Sequence, residues 1–156
     1  MGAPLSLYTD IVKPEWIDYN GHMSEAYYVL TFGFATEAFL NHIGAGEDYR
    51  VLTGRSIYTV EAHINYLREV KEGAKLNFVT HLLNFDSKRI HLFHTMYTDS
   101  KDQAIATTEL MELHVDEQPR VSNIPEDILG KVRKVFEDHR ELEVPSNVGR
   151  RINMGR

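Results

Sequence analysis

The sequence reads Trp16-Ile17-Asp18-Tyr19-Asn20-Gly21-His22-Met23-Ser24-Glu25 immediately before a long apolar stretch that continues to Ile43. Asp and Asn-Gly are common turn residues, and the apolar stretch is long enough to form a helix. We therefore expect Asp18 in a turn that points into the positive end of a helix, where backbone N–H groups can hold an oxyanion. This arrangement suits acyl transfer. An ordinary turn with a capping carboxylate would explain the same residues.

The apolar stretch predicts a deeply buried helix. Residues 24–43 contain only two charged side chains, Glu25 and Glu37, and apolar side chains occupy nearly the whole circumference of the helix. A helix of this kind is expected to be buried on most of its sides. Glycines at the start of residues 44–55 predict the end of the helix, and this segment is expected to be a loop.

Strands are predicted on both sides of the helix. The first covers Leu5 to Val12, and residues 57–68 alternate in the manner of a strand with one buried face. In this alternation Tyr58, Val60, Ala62, Ile64 and Tyr66 face one way, whereas Thr59, Glu61, His63 and Asn65 face the other way.

The second half of the chain predicts an antiparallel meander. Strands are expected near residues 75–85, 89–98 and 103–115, with polar turns at 86–88 and 99–102 between them. A polar helix around residues 126–139 and a tail from Pro145 to Arg156 without a strong pattern follow.

Composition bounds the functional classes. The 156 residues, 42% hydrophobic and 26% charged, are ordinary for one globular domain. A net charge of −6 argues against nonspecific binding to nucleic acid, and no stretch resembles a membrane span or a signal peptide. The chain has no cysteine, which excludes disulfides and thiolate chemistry. We expect a cytoplasmic protein with no nucleic acid and no membrane among its partners.

The predicted order β-α-β-β-β-β is an α+β architecture with a long central helix wrapped by a curled antiparallel sheet. With the motif Asp18-x-x-Gly21-His22-x-x-x-x-x-Tyr28, it resembles the hot-dog fold acyl-CoA thioesterases of the 4-hydroxybenzoyl-CoA thioesterase type over residues 5–115. The chain is thus expected to be a single domain over residues 1–156, with a short C-terminal helix and tail. Segments 16–23, 58–64 and 88–94 are similar to betainyl-CoA thioesterases of carnitine breakdown, some of which are fused to L-carnitine dehydrogenase.

The resemblance implies catalytic roles for the motif, which comprises Asp18, Gly21, His22 and Glu25. Asp18 would act as nucleophile or as general base for water, and the backbone N–H near Glu25 would polarise the thioester carbonyl. Many relatives carry Asn where this chain has Ser24 and Glu25, but a backbone N–H does not depend on its side chain. Because a carboxylate would oppose an adjacent oxyanion, we interpret Glu25 as a recognition residue. His22 is expected to form local hydrogen bonds or to contact substrate.

Substrate-binding residues are predicted on two grounds. Aromatic rings near the motif would form a box for a quaternary ammonium, although filling the core would explain them equally well. These rings belong to Trp16, Tyr19, Tyr27 and Tyr28. Coenzyme A carries phosphates, for which Lys88 and Arg89 at the start of a strand are candidates, unless they form only a solvated charged turn.

These observations lead to one functional hypothesis and two alternatives. The chain is expected to hydrolyse a short-chain acyl-CoA, preferentially betainyl-CoA, to the free acid and CoA, without a cofactor or a metal. The histidines do not favour a metal site, since His91 and His94 lie three apart in a strand and so project from opposite faces. A hot-dog hydratase or dehydratase and a non-catalytic acyl-CoA-binding protein remain open. The resemblance also implies a homodimer or homotetramer.

Overall fold

The computed structural model describes residues 2–99 and 102–155, so the predicted turn at 99–102 is described only at its two ends. After β1 and a short 3-10 turn, the long helix α1 and the small helix α2 precede four further strands and α3. The bounds are β1 Leu5–Ile11, the turn Pro14–Trp16, α1 Glu25–His42, α2 Glu47–Thr53, β2 Ser56–Tyr66, β3 Lys75–Phe85, β4 Arg89–Tyr97, β5 Ala104–Val115 and α3 Glu126–His139. Within these described residues, no helix combines the length and the apolarity that crossing a membrane requires.

The five strands form one antiparallel sheet in the order β1-β3-β4-β5-β2. The predicted meander of β3, β4 and β5 is confirmed, and β1 and β2 are the two edge strands. Helix α1 crosses one face of the sheet, as the predicted α+β arrangement requires. Because β2 follows α1 but pairs with β5, its end at Tyr66 lies beside the beginning of β5.

The hydrophobic core has two parts, one under each half of α1. Under the C-terminal half, Phe39 and Ile43 are completely buried and pack with strand residues and with Val132 of α3. Under the N-terminal half, Phe32 packs with Phe78 and the surrounding apolar side chains. The sheet therefore holds α1 along its whole length, and α3 covers only its C-terminal end.

A buried histidine joins the middle of α1 to the sheet. His94 of β4 is completely buried, and its ring nitrogens lie 2.9 Å from the hydroxyl oxygens of Thr36 and Thr80. The Thr36 hydroxyl donates to the Phe32 carbonyl, so it accepts from the Nε2–H of His94. Burial lowers the pKa of His94 to about 3. Both ring nitrogens of neutral His94 thus have a hydrogen-bond partner in one tautomer. His91 projects from the opposite face of the sheet, as predicted.

The prediction that α1 is buried on most of its sides is wrong for this single chain. Val29, Leu30 and Phe34 expose between 41% and 50% of their surface. The sheet covers one face only, since the two further helices lie at the end of α1 or beyond it. An apolar stripe of α1 is therefore open.

The predicted alternation of β2 is interrupted by a bulge. Thr59 is opposite Glu112 and Glu61 is opposite Met111, which leaves Val60 as an extra residue. Cross-strand partners share a face, so Thr59 turns toward α1 and Tyr58 joins the outer face. The prediction holds for Ala62, Ile64 and Tyr66, and it is wrong for Tyr58 and Thr59.

The predicted loop at 44–55 contains a helix, α2, so this prediction is also wrong in part. Glu47 and Asp48 occupy its first turn, where acidic side chains favour the helix dipole. Gly54 ends the helix at a φ of +73°, a left-handed conformation that glycine adopts without strain. Seven residues are too few to give a clear hydrophobic period.

Candidate active site

The turn that contains Asp18 is a small closed structure. Ile17 and Met23 form a β-bridge, and the Gly21 N–H donates to the Asp18 carbonyl at 3.0 Å. Gly21 has a φ of +78°, which explains the need for glycine at the tip. The Asn20 N–H donates to Asp18 Oδ1 at 2.8 Å. This bond fixes the carboxylate, and it leaves Oδ2 available to a substrate or a water.

The turn leads directly into the N-terminus of α1. Ser24 precedes the helix, and its side chain makes no capping hydrogen bond. The Tyr27 N–H donates to the Ser24 carbonyl at 3.0 Å. The N–H groups of Glu25 and Ala26, which the Ser24 hydroxyl does not cap, are therefore the ones that can donate to an oxyanion. The Met23 N–H donates to the Val70 carbonyl at 2.8 Å, which fastens the turn to the segment after β2.

A cleft of about 350 Å³ opens between this turn, the start of α1 and the end of β2. Of the predicted catalytic residues, Asp18, His22 and Glu25 line the cleft, whereas Gly21 shapes the turn beside it. The lining residues are Asp18, Asn20, His22, Met23, Glu25, Tyr28, Tyr66, Leu67, Arg68 and Glu69. The cleft thus combines carboxylates, a helix N-terminus and two tyrosines.

Two tyrosines form one side of the cleft. The rings of Tyr28 and Tyr66 lie 5.2 Å apart between centroids and meet at 86°. The Tyr28 hydroxyl donates to the Arg68 carbonyl at 3.1 Å. Burial raises the pKa of both phenols, and the neighbouring Glu25 carboxylate raises the pKa of Tyr66 further. Both tyrosines are therefore neutral at physiological pH, next to a carboxylate.

The structure does not bring the other predicted aromatic residues into this cleft. Trp16 is buried, its ring stacks on Tyr27 at 5.6 Å between centroids, and the Lys13 ammonium lies 5.1 Å from the indole centre. Tyr19 exposes 98% of its surface. Of the four predicted box residues, Tyr28 alone is among the lining residues of the cleft.

The predicted CoA-binding residues lie at the other end of the sheet. Arg89 begins β4 opposite Leu113, near the end of β5, whereas the cleft adjoins Tyr66 opposite Ala106. Arg89 pairs with Asp86 at 2.6 Å, and Lys88 is exposed in the same turn. Within one chain, the phosphates and the thioester of one CoA would therefore have to span the length of the sheet.

Six lining residues were not among the predicted site residues: Asn20 and Met23 within the motif stretch, and Tyr66, Leu67, Arg68 and Glu69 farther along the chain. Tyr66 ends β2 and the next three residues follow it, and this second group has no motif of its own. Their position depends on the hydrogen bond between Met23 and Val70, a contact across 47 positions that no local pattern reveals.

A second polar depression lies on the outer face of the sheet. His91 Nε2 is 2.7 Å from Glu109 Oε2, and the Gly149 N–H donates to the other oxygen of Glu109 at 2.6 Å. Here the C-terminal tail crosses β5. Across residues 2–99 and 102–155, no three His, Asp or Glu side chains group in a way that could hold a metal ion.

Comparison with known proteins identifies the family. The thioesterase-like superfamily matches residues 12–132. A betainyl-CoA thioesterase of Pseudomonas aeruginosa is 43% identical over 99% of this chain and 98% of its own length. An L-carnitine dehydrogenase/betainyl-CoA thioesterase of Rhizobium is 39% identical over 98% of this chain, which spans 31% of that longer protein.

A solved structure supports the same assignment. A Staphylococcus aureus protein determined in complex with CoA superimposes with a TM-score of 0.89 at 25% identity, over 97% of this chain and 96% of the other. The hot-dog fold predicted from the sequence is confirmed. The chain belongs to the thioesterase-like superfamily and has the hot-dog fold of its acyl-CoA thioesterases.

Proposed function

We propose that this protein hydrolyses betainyl-CoA to betaine and CoA in carnitine breakdown, and that Asp18 carries the reaction. The observation that carries this proposal is that the Asp18 carboxylate and the N-terminus of α1, where the Ser24 side chain makes no capping hydrogen bond, lie at one cleft. The names of the relatives support the substrate and the pathway, because they pair betainyl-CoA thioesterase with L-carnitine dehydrogenase. Since acyl-CoA thioesters are cytoplasmic metabolites, the proposal places the protein in the cytoplasm.

The mechanism uses the carboxylate and the helix terminus together. Asp18 either attacks the thioester carbonyl through Oδ2 or removes a proton from an attacking water. The backbone N–H of Glu25, at the N-terminus of α1, donates to the oxygen that becomes negative in the tetrahedral intermediate. The intermediate expels the CoA thiolate. In the nucleophilic route this leaves an anhydride between Asp18 and the acyl group, which one water hydrolyses to regenerate the Asp18 carboxylate; in the base route that water is itself the attacking group. Either route consumes one water and gives a carboxylate and a thiol.

The proposal includes a homodimer or homotetramer. Edge strand β2 is eleven residues long and exposes Val60, a surface that favours pairing with another chain. If two β2 strands pair antiparallel, Ser56 of one lies beside Tyr66 of the other. Lys88 and Arg89 of the second subunit then lie at the same end of the joined sheet as this cleft. Three strand spacings, ~14 Å, separate their strand β4 from β2 of the first subunit. In this arrangement they can bind the CoA phosphates, which they cannot do easily within one chain.

Product analysis tests the proposed reaction. Incubation with betainyl-CoA should release one free thiol and one betaine per turnover, detected with a thiol reagent and by NMR, whereas propionyl-CoA should react more slowly. His22 and Asp18 in one cleft also suit a hydratase, which would change the absorbance of an enoyl thioester and release no thiol. Binding of betainyl-CoA without thiol release would instead indicate a non-catalytic acyl-CoA-binding protein.

A further inference from the structure

Tyr66 offers an open aromatic surface to the cleft. Its side chain is 46% exposed, whereas Tyr28, which it meets edge to face, is 4% exposed. The perpendicular arrangement holds Tyr66 against a buried ring, so that its orientation is fixed although half of its surface is open. Rigid rings with an open face are the groups that bind cations in proteins.

The charges around this ring favour a cation. The cleft contains three carboxylates, on Asp18, Glu25 and Glu69, against a single permanent cation, Arg68. The Glu25 carboxylate is close enough to Tyr66 to act on its phenol electrostatically. An anionic acyl group would meet repulsion here, whereas a positively charged one would be attracted.

The chemistry of the proposed substrate decides where its cation must lie. In betainyl-CoA one methylene separates the quaternary nitrogen from the thioester carbonyl carbon. The group that binds the cation must therefore line the same cleft as Asp18. Tyr28 and Tyr66 meet this condition, and the stacked pair of Trp16 and Tyr27 does not.

Resting on the proposed function, we propose that Tyr66, held by Tyr28 and assisted by Glu25, binds the trimethylammonium group and determines the specificity for a cationic acyl chain. A trimethylammonium donates no N–H hydrogen bond, so an aromatic face and a carboxylate at longer range are the partners it can use. Tyr66 does not take part in the bond changes. Its effect is confined to the choice of acyl group.

The test compares betainyl-CoA with 3,3-dimethylbutyryl-CoA, which has the same shape without the charge. The charge also activates the thioester intrinsically, but this contribution cancels when the ratio of the two kcat/KM values is compared between variants. For Tyr66→Leu we expect the kcat/KM for betainyl-CoA to fall about 5- to 30-fold, with the neutral substrate within about 3-fold. Tyr66→Phe keeps the ring and should keep the wild-type ratio within about 3-fold.

Two further variants make the test decisive. Phe34→Leu makes a similar change at a ring that is 42% exposed and outside the cleft, and it should leave the ratio unchanged. Glu25→Gln should lower the ratio about 3- to 5-fold. If Tyr66→Leu does not fold, as judged by circular dichroism, Glu25→Gln decides, and an unchanged ratio overturns the inference.

The possible failures can be told apart. If the wild type hydrolyses betainyl-CoA but Tyr66→Leu keeps the ratio, or slows both substrates equally, Tyr66 does not determine specificity and the proposed function stands. If the wild type releases no thiol from betainyl-CoA while it hydrolyses other acyl-CoA thioesters, the proposed substrate is wrong, and the inference about Tyr66 fails with it.

Discussion

The two halves of α1 differ in what surrounds them. The C-terminal half is sealed, with Phe39 and Ile43 completely buried between the sheet and α3. The N-terminal end begins with the exposed Glu25, has no hydrogen bond from the Ser24 side chain, and borders a cleft. The helix is therefore packed on the sheet along its whole length, is covered also by α3 at its C-terminal end, and offers its positive terminus to a ligand at the other end.

Along α1, the groups proposed for the chemistry lie at the first turn, whereas the packing that stabilises the helix lies along the rest of it. A helix terminus can hold an oxyanion only if the helix does not move when charge develops, because preorganised donors need no rearrangement. The core packing under both halves of α1 supplies that rigidity. Substitutions at the two ends should therefore affect different measurements.

The largest effect is expected at the open end. Asp18→Asn keeps the size of the side chain and its acceptor for the Asn20 N–H, but it removes the base or nucleophile. We expect kcat for the best thioester to fall about 10²- to 10⁴-fold, with the melting temperature almost unchanged. A folded Asp18→Asn protein within a few-fold of wild-type kcat in a thiol-release assay would show that Asp18 is not catalytic.

The next effect is expected at the sealed end. Phe39→Ala creates a cavity at a completely buried site and should lower the free energy of unfolding by about 3–5 kcal/mol, measured by urea denaturation. Activity per folded molecule should stay within about 2-fold, since the substitution lies outside the cleft. Phe34→Ala on the open stripe is the matched control and should cost about 1 kcal/mol or less. Equal losses in the two variants would contradict the sealed core.

A smaller, pH-dependent effect is expected at Glu112, on the α1-facing side of the sheet. Among the described residues its Oε2 is buried without a hydrogen bond, and burial raises its pKa to about 7. Because the pKa of Glu112 is higher in the folded than in the unfolded protein, its contribution to the free energy of unfolding is fully present below pH 4.5 and is lost as the pH rises through 7. Glu112→Gln should therefore be more stable than wild type by about 1–3 kcal/mol at pH 8, and by much less at pH 4.

Buried histidines act in the opposite direction. The lowered pKa of His94 means that its stabilisation is present above about pH 6.5 and is lost as pH falls. Between pH 6.5 and 4.5 the protonation of Glu112 in wild type offsets part of this loss. The free energy of unfolding of Glu112→Gln should therefore fall more steeply on acidification. A stability difference between wild type and Glu112→Gln that does not vary with pH would refute this assignment. Burial also lowers the pKa of His81, His114 and His139.

The smallest effect is expected for Tyr27→Leu, which removes the ring stacked on Trp16. We expect a loss of about 0.5–1.5 kcal/mol in the free energy of unfolding. The ratio of kcat/KM for betainyl-CoA over 3,3-dimethylbutyryl-CoA should not change, because this pair does not line the cleft. A fall in that ratio would instead support Trp16 and Tyr27 as members of the aromatic box that the sequence suggested.

Sequence patterns predicted the regular elements well. The helix over 126–139 and the strands of the meander agree with the structure within a few residues, because their hydrophobic periods and turn residues are strong. The bulge at Val60 was missed because an extra residue in an edge strand leaves no mark on a continuous alternation. The open stripe of α1 was missed because an apolar helix surface does not reveal which element covers it.

The candidate site was predicted in part. Asp18, His22, Glu25 and Tyr28 were identified because a local turn and one helix hold them. Tyr66 was not assigned to the site, since its position there depends on long-range pairing. Proximity along the chain also suggested Trp16, Tyr19 and Tyr27, but Trp16 is buried with Tyr27 stacked on it, and Tyr19 is exposed and does not line the cleft.

A structure of Asp18→Asn with betainyl-CoA bound is the most direct test that the thioester reacts at this cleft and that Tyr66 binds its cation. This variant should bind the substrate and hardly hydrolyse it. We expect the thioester carbonyl to lie beside residue 18 and the N-terminus of α1. The quaternary nitrogen should lie within about 6 Å of the centre of the Tyr66 ring. A thioester bound away from this cleft, or a trimethylammonium held by Trp16 and Tyr27, would contradict it.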